Sequence, residues 1–170
     1  MRTGRSIVLF LISFPVLAGA QAEIRLDVSA AAPPPTLAVA WPHTSAPELQ
    51  TVSQEVAQVL SFDLAFSKAV QFLEDSPRVR QQAEQDRTRG LVDYAAWKSL
   101  GAHYLVIPAV LSLSKGGKSQ DQLVIDILLE DIADRRQHMG KRLTVSASEL
   151  RSALHKISDM IVYACTLEKG

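Results

Sequence analysis

Three β-prone runs, His103 to Leu113, Leu123 to Ile132 and about Gln137 to Val145, follow one another with only short polar connections between them. Successive strands joined by short loops pair antiparallel with their sequence neighbours, so these three predict a meander. An amphipathic helix is expected on each side of it. Ahead, Leu49, Val52, Val56, Val59, Leu60 and Leu64 recur at spacings of three and four, up to about Ser67. The preceding Ser45-Ala46-Pro47-Glu48 has the spacing of a capping box. Behind, Ser146 to Glu149 repeats that spacing and opens a helix with Leu150, Ala153, Leu154, Ile157, Ile161 and Ala164 on one face. Two shorter apolar stretches, Thr36 to Trp41 and Ala69 to Leu73, supply the remaining strands. A sheet that buries a face against such helices predicts an α/β fold: a two-layer sandwich, with a mixed sheet of about five strands packed on two main helices.

The first residues read as an export signal. Arg2 and Arg5 precede an apolar run from Ile7 to Leu17, and Ala20-Gln21-Ala22 offers small residues for cleavage. The run is too short to span a hydrocarbon core of about 30 Å, so residues 1–22 are expected to be a cleaved signal peptide. The protein is then periplasmic and not membrane-embedded, and residues 23–170 form one domain. The 18 basic residues balance 18 acidic ones, and losing Arg2 and Arg5 leaves a slight acidic excess. That balance, with 2 Trp and 3 Tyr, offers nucleic acid neither a basic face nor a stacking platform. Cys165 is the single cysteine, so no disulfide can form within the chain, and its place in a helical pattern predicts a buried thiol.

Chemistry-bearing patterns are scarce. His43, His103, His138 and His155 fall on different elements, none in an H-x-x-x-H or H-E-x-x-H spacing, so no metal or other cofactor is expected. Gly116-Gly117 lies in a polar hairpin loop and lacks the spacing of a phosphate-binding loop. His155 and Asp159 stand four apart on one helix face and are expected to pair structurally. Asp63, interrupting an apolar stripe, is expected to bond backbone or cap a turn. Glu74 to Val92 carries Arg78, Arg80, Arg87 and Arg89 among acids and few apolar residues, which predicts an exposed loop with a turn of helix. No catalytic residue is expected.

The order of several blocks resembles the TolB N-terminal domain family. E-I-R-L-D-V from Glu23, T-L-A-V-A-W-P from Thr36, and D-L-A-F-S from Asp63 resemble its two opening strands and a helix end. A-A-W-K-S-L-G-A-H-Y-L-V-I from Ala95, L-R-S-A-L-H-K-I-S-D from Leu150 and the closing E-K-G complete the pattern. The departures are Pro108 in place of a usual glycine, His103 in place of aspartate, and Thr166-Leu167 in place of threonine-glycine. The resemblance implies a non-catalytic periplasmic adaptor of the Tol–Pal system, serving envelope integrity and protein import. It also implies a partner-binding arm of Glu23, Ile24, Arg25, Leu26, Asp27 and Val28, directed at the C-terminal domain of TolA. The alternation of Ile24, Leu26 and Val28 with charged residues suits either a strand added to a partner's sheet edge or a strand in the chain's own sheet. Family members continue into a six-bladed β-propeller where this chain stops at Gly170. The alternatives are therefore a subunit that joins a separately encoded propeller chain, exposing an apolar strip near Ile161 to Leu167, and a small hydrolase without a recognisable motif.

Overall fold

The computed structural model describes residues 33–44, 46–114 and 122–167. It shows five strands: β1 (Thr36–Val39), β2 (Gln71–Phe72), β3 (Tyr104–Ser114), β4 (Gln122–Asp131) and β5 (Arg136–Ser146). The helices are α1 (Gln50–Ser67), α2 (Pro77–Arg89), α3 (Tyr94–Ser99) and α4 (Leu150–Leu167). The strands form one mixed sheet in the order β2-β1-β3-β4-β5. The first three run parallel, and β3, β4 and β5 form the expected antiparallel meander. The α/β sandwich read from the sequence is the fold observed.

Alternation along the strands separates two cores. Tyr104 and Val106 of β3 and Leu123, Ile125, Ile127 and Leu129 of β4 turn to one face, where they meet the buried stripes of α1 and α4. That layer contains Val56, Leu60 and Leu64 from α1 and Leu150, Leu154, Ile157, Ile161 and Cys165 from α4. On the opposite face a smaller cluster joins Ala38, Ala40 and Leu105 to Val79 of α2 and Trp97 of α3. The small helices thus cap the β1–β3 side, and Tyr94 of α3 reaches across to Glu130 of β4.

Local chemistry fixes the helix ends. Glu149 reaches back to the Ser146 N–H at 3.2 Å and also accepts from its hydroxyl at 2.7 Å. The Ser146 hydroxyl, then its N–H, hold the Glu149 carboxyl below its ordinary pKa. At the other predicted capping box Ser45 lies outside the described residues, and the chain makes a 3-10 turn at Pro47–Leu49 before α1 begins. Asp93 caps α3 by accepting from the Ala96 N–H at 3.0 Å, and Gly101, with φ of 89°, takes the left-handed turn after it.

Glu74 to Val92 differs from its sequence expectation: it contains a 13-residue helix, α2. Ser76 caps it by accepting from the Val79 N–H, Pro77 occupies the first turn, and Gly90 closes it with φ of 68°. Its arginines do face solvent, where Arg80 pairs with Asp75 and Arg87 with Glu84. Asp86 does not belong to that face; it is buried beneath the helix.

Across β4 and β5, Arg142 donates to both carboxylate oxygens of Asp126, at 2.7 and 2.6 Å. Those hydrogen bonds lower the Asp126 pKa; the Arg142 charge adds to the effect and partial burial opposes it. A carboxyl with a depressed folded pKa contributes stability above its unfolded value and loses it as pH falls through the folded one. Asp126→Asn is therefore expected to lose less stability than the parent between pH 6 and pH 2.5 and to differ little in slope above pH 5. Denaturant midpoints measured across that range would check it; equal acid sensitivity in both proteins would refute it.

Candidate functional site

The main recess lies on the sheet face opposite α1 and α4. β1 ends at Val39, Ala40 still donates to the Val106 carbonyl at 2.9 Å, and Trp41 and Pro42 then leave a gap in the pairing with β3 before His43 returns to form a parallel bridge with Ala109. Its N–H donates to the Pro108 carbonyl at 3.3 Å, and its carbonyl accepts from Val110 at 2.9 Å. This explains a proline inside a central strand. A residue's N and carbonyl point to the same edge, so the missing Pro108 N–H faces the gap β1 has vacated, not the β4 ladder.

The gap is a cleft of about 700 Å³ between this part of the sheet and α2. Ile107, Ala109 and Leu128 form its half-buried apolar floor, and Ala83 of α2 its wall. Trp41 and Leu91 stand at its mouth, 53% and 60% exposed. The rim is polar but internally neutralised. Arg80 Nε lies 2.9 Å from each Asp75 oxygen, and Arg87 Nε donates to Glu84 at 2.8 Å. Hydrogen bonding from Arg87, with its charge a smaller contribution, holds the Glu84 carboxyl below its usual range.

The two buried acids at the back of the cleft are occupied by structure. Asp86 accepts from the Trp97 indole N–H at 2.6 Å, from Gln82 at 2.7 Å and from the Asp93 N–H at 3.2 Å. It thereby locks α2 to α3. Glu130 accepts from the Tyr94 hydroxyl at 3.0 Å; burial, and then that bond, raise the Tyr94 pKa. Among the described residues no nucleophile–base pair lines the recess, and no group of three or more His, Cys, Asp or Glu stands close enough to hold a metal. The apolar floor suits binding of an apolar group.

The other residues singled out in the sequence fall elsewhere. Glu23 to Val28 lie outside the described residues, as do residues 1–22 and the loop containing Gly116-Gly117. Asp63 neither caps a turn nor bonds backbone: its carboxylate accepts from His155 Nδ1 at 2.6 Å, tying α1 to α4 beside Arg151 and Glu55. His155 is thus turned to the neighbouring helix rather than to Asp159. Cys165 is buried as expected. The strip near Ile161 to Leu167 is not continuous, since Ile161 and Cys165 face the core and Tyr163 is exposed. The cleft has no direct signature in the sequence, because it exists only if residues 77–89 are helical. The Ser76-Pro77 start and Gly90 stop are the signals that carry that helix. No described helix is long and apolar enough to cross a membrane.

Comparison with known proteins gives these observations a family. The sequence matches the TolB amino-terminal domain model over residues 23–138. It is 26% identical over 172 residues to the Tol-Pal system protein TolB of Syntrophotalea carbinolica, covering 98% of this chain and 38% of the relative. It is 33% identical over 112 residues to TolB of Chromobacterium violaceum, covering 66% of this chain and 24% of the relative. The chain thus spans well under half the length of these relatives. Among solved structures, TolB from Acinetobacter baumannii aligns with a TM-score of 0.52 at 17% identity, over 78% of this chain and 28% of that one. The hypothetical protein CT253 from Chlamydia trachomatis aligns with a TM-score of 0.60 at 12% identity, over 80% of this chain and 99% of that one. These structures share the fold; the family match is what places the sequence, and the chain belongs to the TolB amino-terminal domain family.

Proposed function

We propose that this protein is a non-catalytic periplasmic adaptor that works through protein contacts in Tol–Pal-linked envelope integrity and protein import. The observation that carries the reading is the family match beginning at Glu23, the residue that the predicted cut after Ala22 makes the new N-terminus. A recess with an apolar floor and internally neutralised polar groups supports binding over catalysis. The contacting segment on this reading is Glu23 to Val28, and its partner is the C-terminal domain of TolA. Its alternation of Ile24, Leu26 and Val28 with charged residues fits an extended strand laid on a partner's sheet edge.

Co-purification of the exported protein with TolA tests this, using the parent chain and a variant lacking residues 23–28. Retention of TolA by the parent and its loss from the deletion variant is the expected result, with the same thermal unfolding midpoint for both proteins. TolA held equally by both, or by neither, would remove the arm assignment. Recovery of the unprocessed precursor from the membrane fraction would remove the periplasmic one.

A further inference from the structure

β5 closes one side of the sheet, and among the described residues only β4 pairs with it, from Arg136↔Asp131 to Ser146↔Gln122. Its other edge therefore presents main-chain N–H and C=O groups with no ladder partner among the described residues. The pairing shifts at His138, and from Met139 to Ser146 the strand then runs without irregularity and contains no proline. An edge of eight regular residues is long enough to template another strand.

Beside that edge is a groove of about 460 Å³ between β5 and α4. Met139 and Ala164 are half-buried in it, and Met160 and Tyr163 are 38% and 63% exposed along it. Met139, Lys141, Leu143 and Val145 share the helix-side face of β5, as their partners Leu129, Ile127, Ile125 and Leu123 are all core residues. Lys141 thus places a charge on an otherwise apolar face, at the groove. β5 carries Arg136, Lys141 and Arg142 and no acid. Arg136 is paired with Asp134 and Arg142 with Asp126. Lys141 has no carboxylate within 4 Å among the described residues, although Asp159 also lines the groove.

This charge decides between occupants. A second copy pairing antiparallel through its own β5 would bring cationic strands together, with Lys141 against or close to its counterpart, and like charges opposed across strands are destabilising. An acidic strand has the opposite sign and finds both the main-chain edge and the apolar groove waiting. We propose that the free edge of β5 takes up an extended, acidic segment of a partner protein, whose carboxylate meets Lys141 and whose apolar side chains enter the groove at Met160 and Tyr163. The surface is built from residues other than Glu23 to Val28, and the proposal stands or falls independently of that segment's assignment.

The test uses fluorescence anisotropy at low salt, with a labelled eight-residue peptide alternating valine and glutamate. Control peptides carry lysine in place of glutamate, or N-methylated amides. The acidic peptide should bind saturably and weaken as salt rises, while neither control binds. Lys141→Glu should reduce affinity by roughly tenfold or more, and Tyr163→Ala by severalfold, both measured on protein whose unfolding midpoint matches the parent. Absence of saturable binding up to about 1 mM would overturn the proposal. So would equal affinity for the N-methylated peptide, or unchanged affinity in Lys141→Glu. Deleting residues 23–28 should leave peptide binding intact, which separates failure here from failure of the arm.

Discussion

Trp97→Ala is expected to lower unfolding free energy by about 3–5 kcal/mol, the range for truncating a large buried aromatic side chain. Trp97 is fully buried and is the largest member of the cluster that holds α2 and α3 on the sheet. Its neighbours there include Ala38, Ala40 and Ala102, which are too short to fill the space an indole leaves. The loss is polar as well, because the indole N–H is one of three donors to the buried Asp86 carboxylate. Trp97→Phe separates the two contributions in large part: it keeps most of the volume and removes the donor, so about 1–3 kcal/mol is expected. Urea unfolding followed by circular dichroism measures both. Fluorescence gives a second readout, since Trp41 is the other of the 2 tryptophans and is half exposed. A cost for Trp97→Ala below about 1 kcal/mol would mean that α2 is held by something other than this cluster.

The elements legible in the sequence were those whose burial is apolar and periodic. α1 and α4 announce themselves through Leu60, Leu64, Leu154 and Ile157, and the meander through runs that no solvated segment would carry. α2 is not legible from its pattern because its inward side is short of apolar weight: Val79 and a half-buried Ala83, followed by Asp86. A buried carboxylate looks like a surface residue until Trp97 and the Asp93 N–H are known to meet it. Composition therefore read this stretch as solvated, while its end signals, Ser76-Pro77 and Gly90, described a helix. The cleft inherits that error. The Asp63–His155 contact was out of reach for another reason: it joins residues 92 apart, and depends on two helices packing side by side.

α4 offers the cleanest separation of stability from binding, because its two faces meet different surroundings. Leu154 is fully buried, packed in the layer that also holds Leu60, Leu64 and Ile125. Leu154→Ala is expected to cost about 2–5 kcal/mol, the upper part of that range applying if the rigid sheet on one side and α1 on the other prevent collapse into the space. Tyr163, two and a half turns further on, is 63% exposed. Its replacement by alanine is expected to stay within about 0.5 kcal/mol of the parent, as for surface changes generally. Denaturant unfolding of the two variants side by side checks the contrast. If Tyr163→Ala destabilised the domain as much as Leu154→Ala, the ring would be part of the core, and the groove beside β5 would be an internal packing feature. If only Leu154→Ala does so, the aromatic ring at the groove contributes little to folding and remains available to a partner strand.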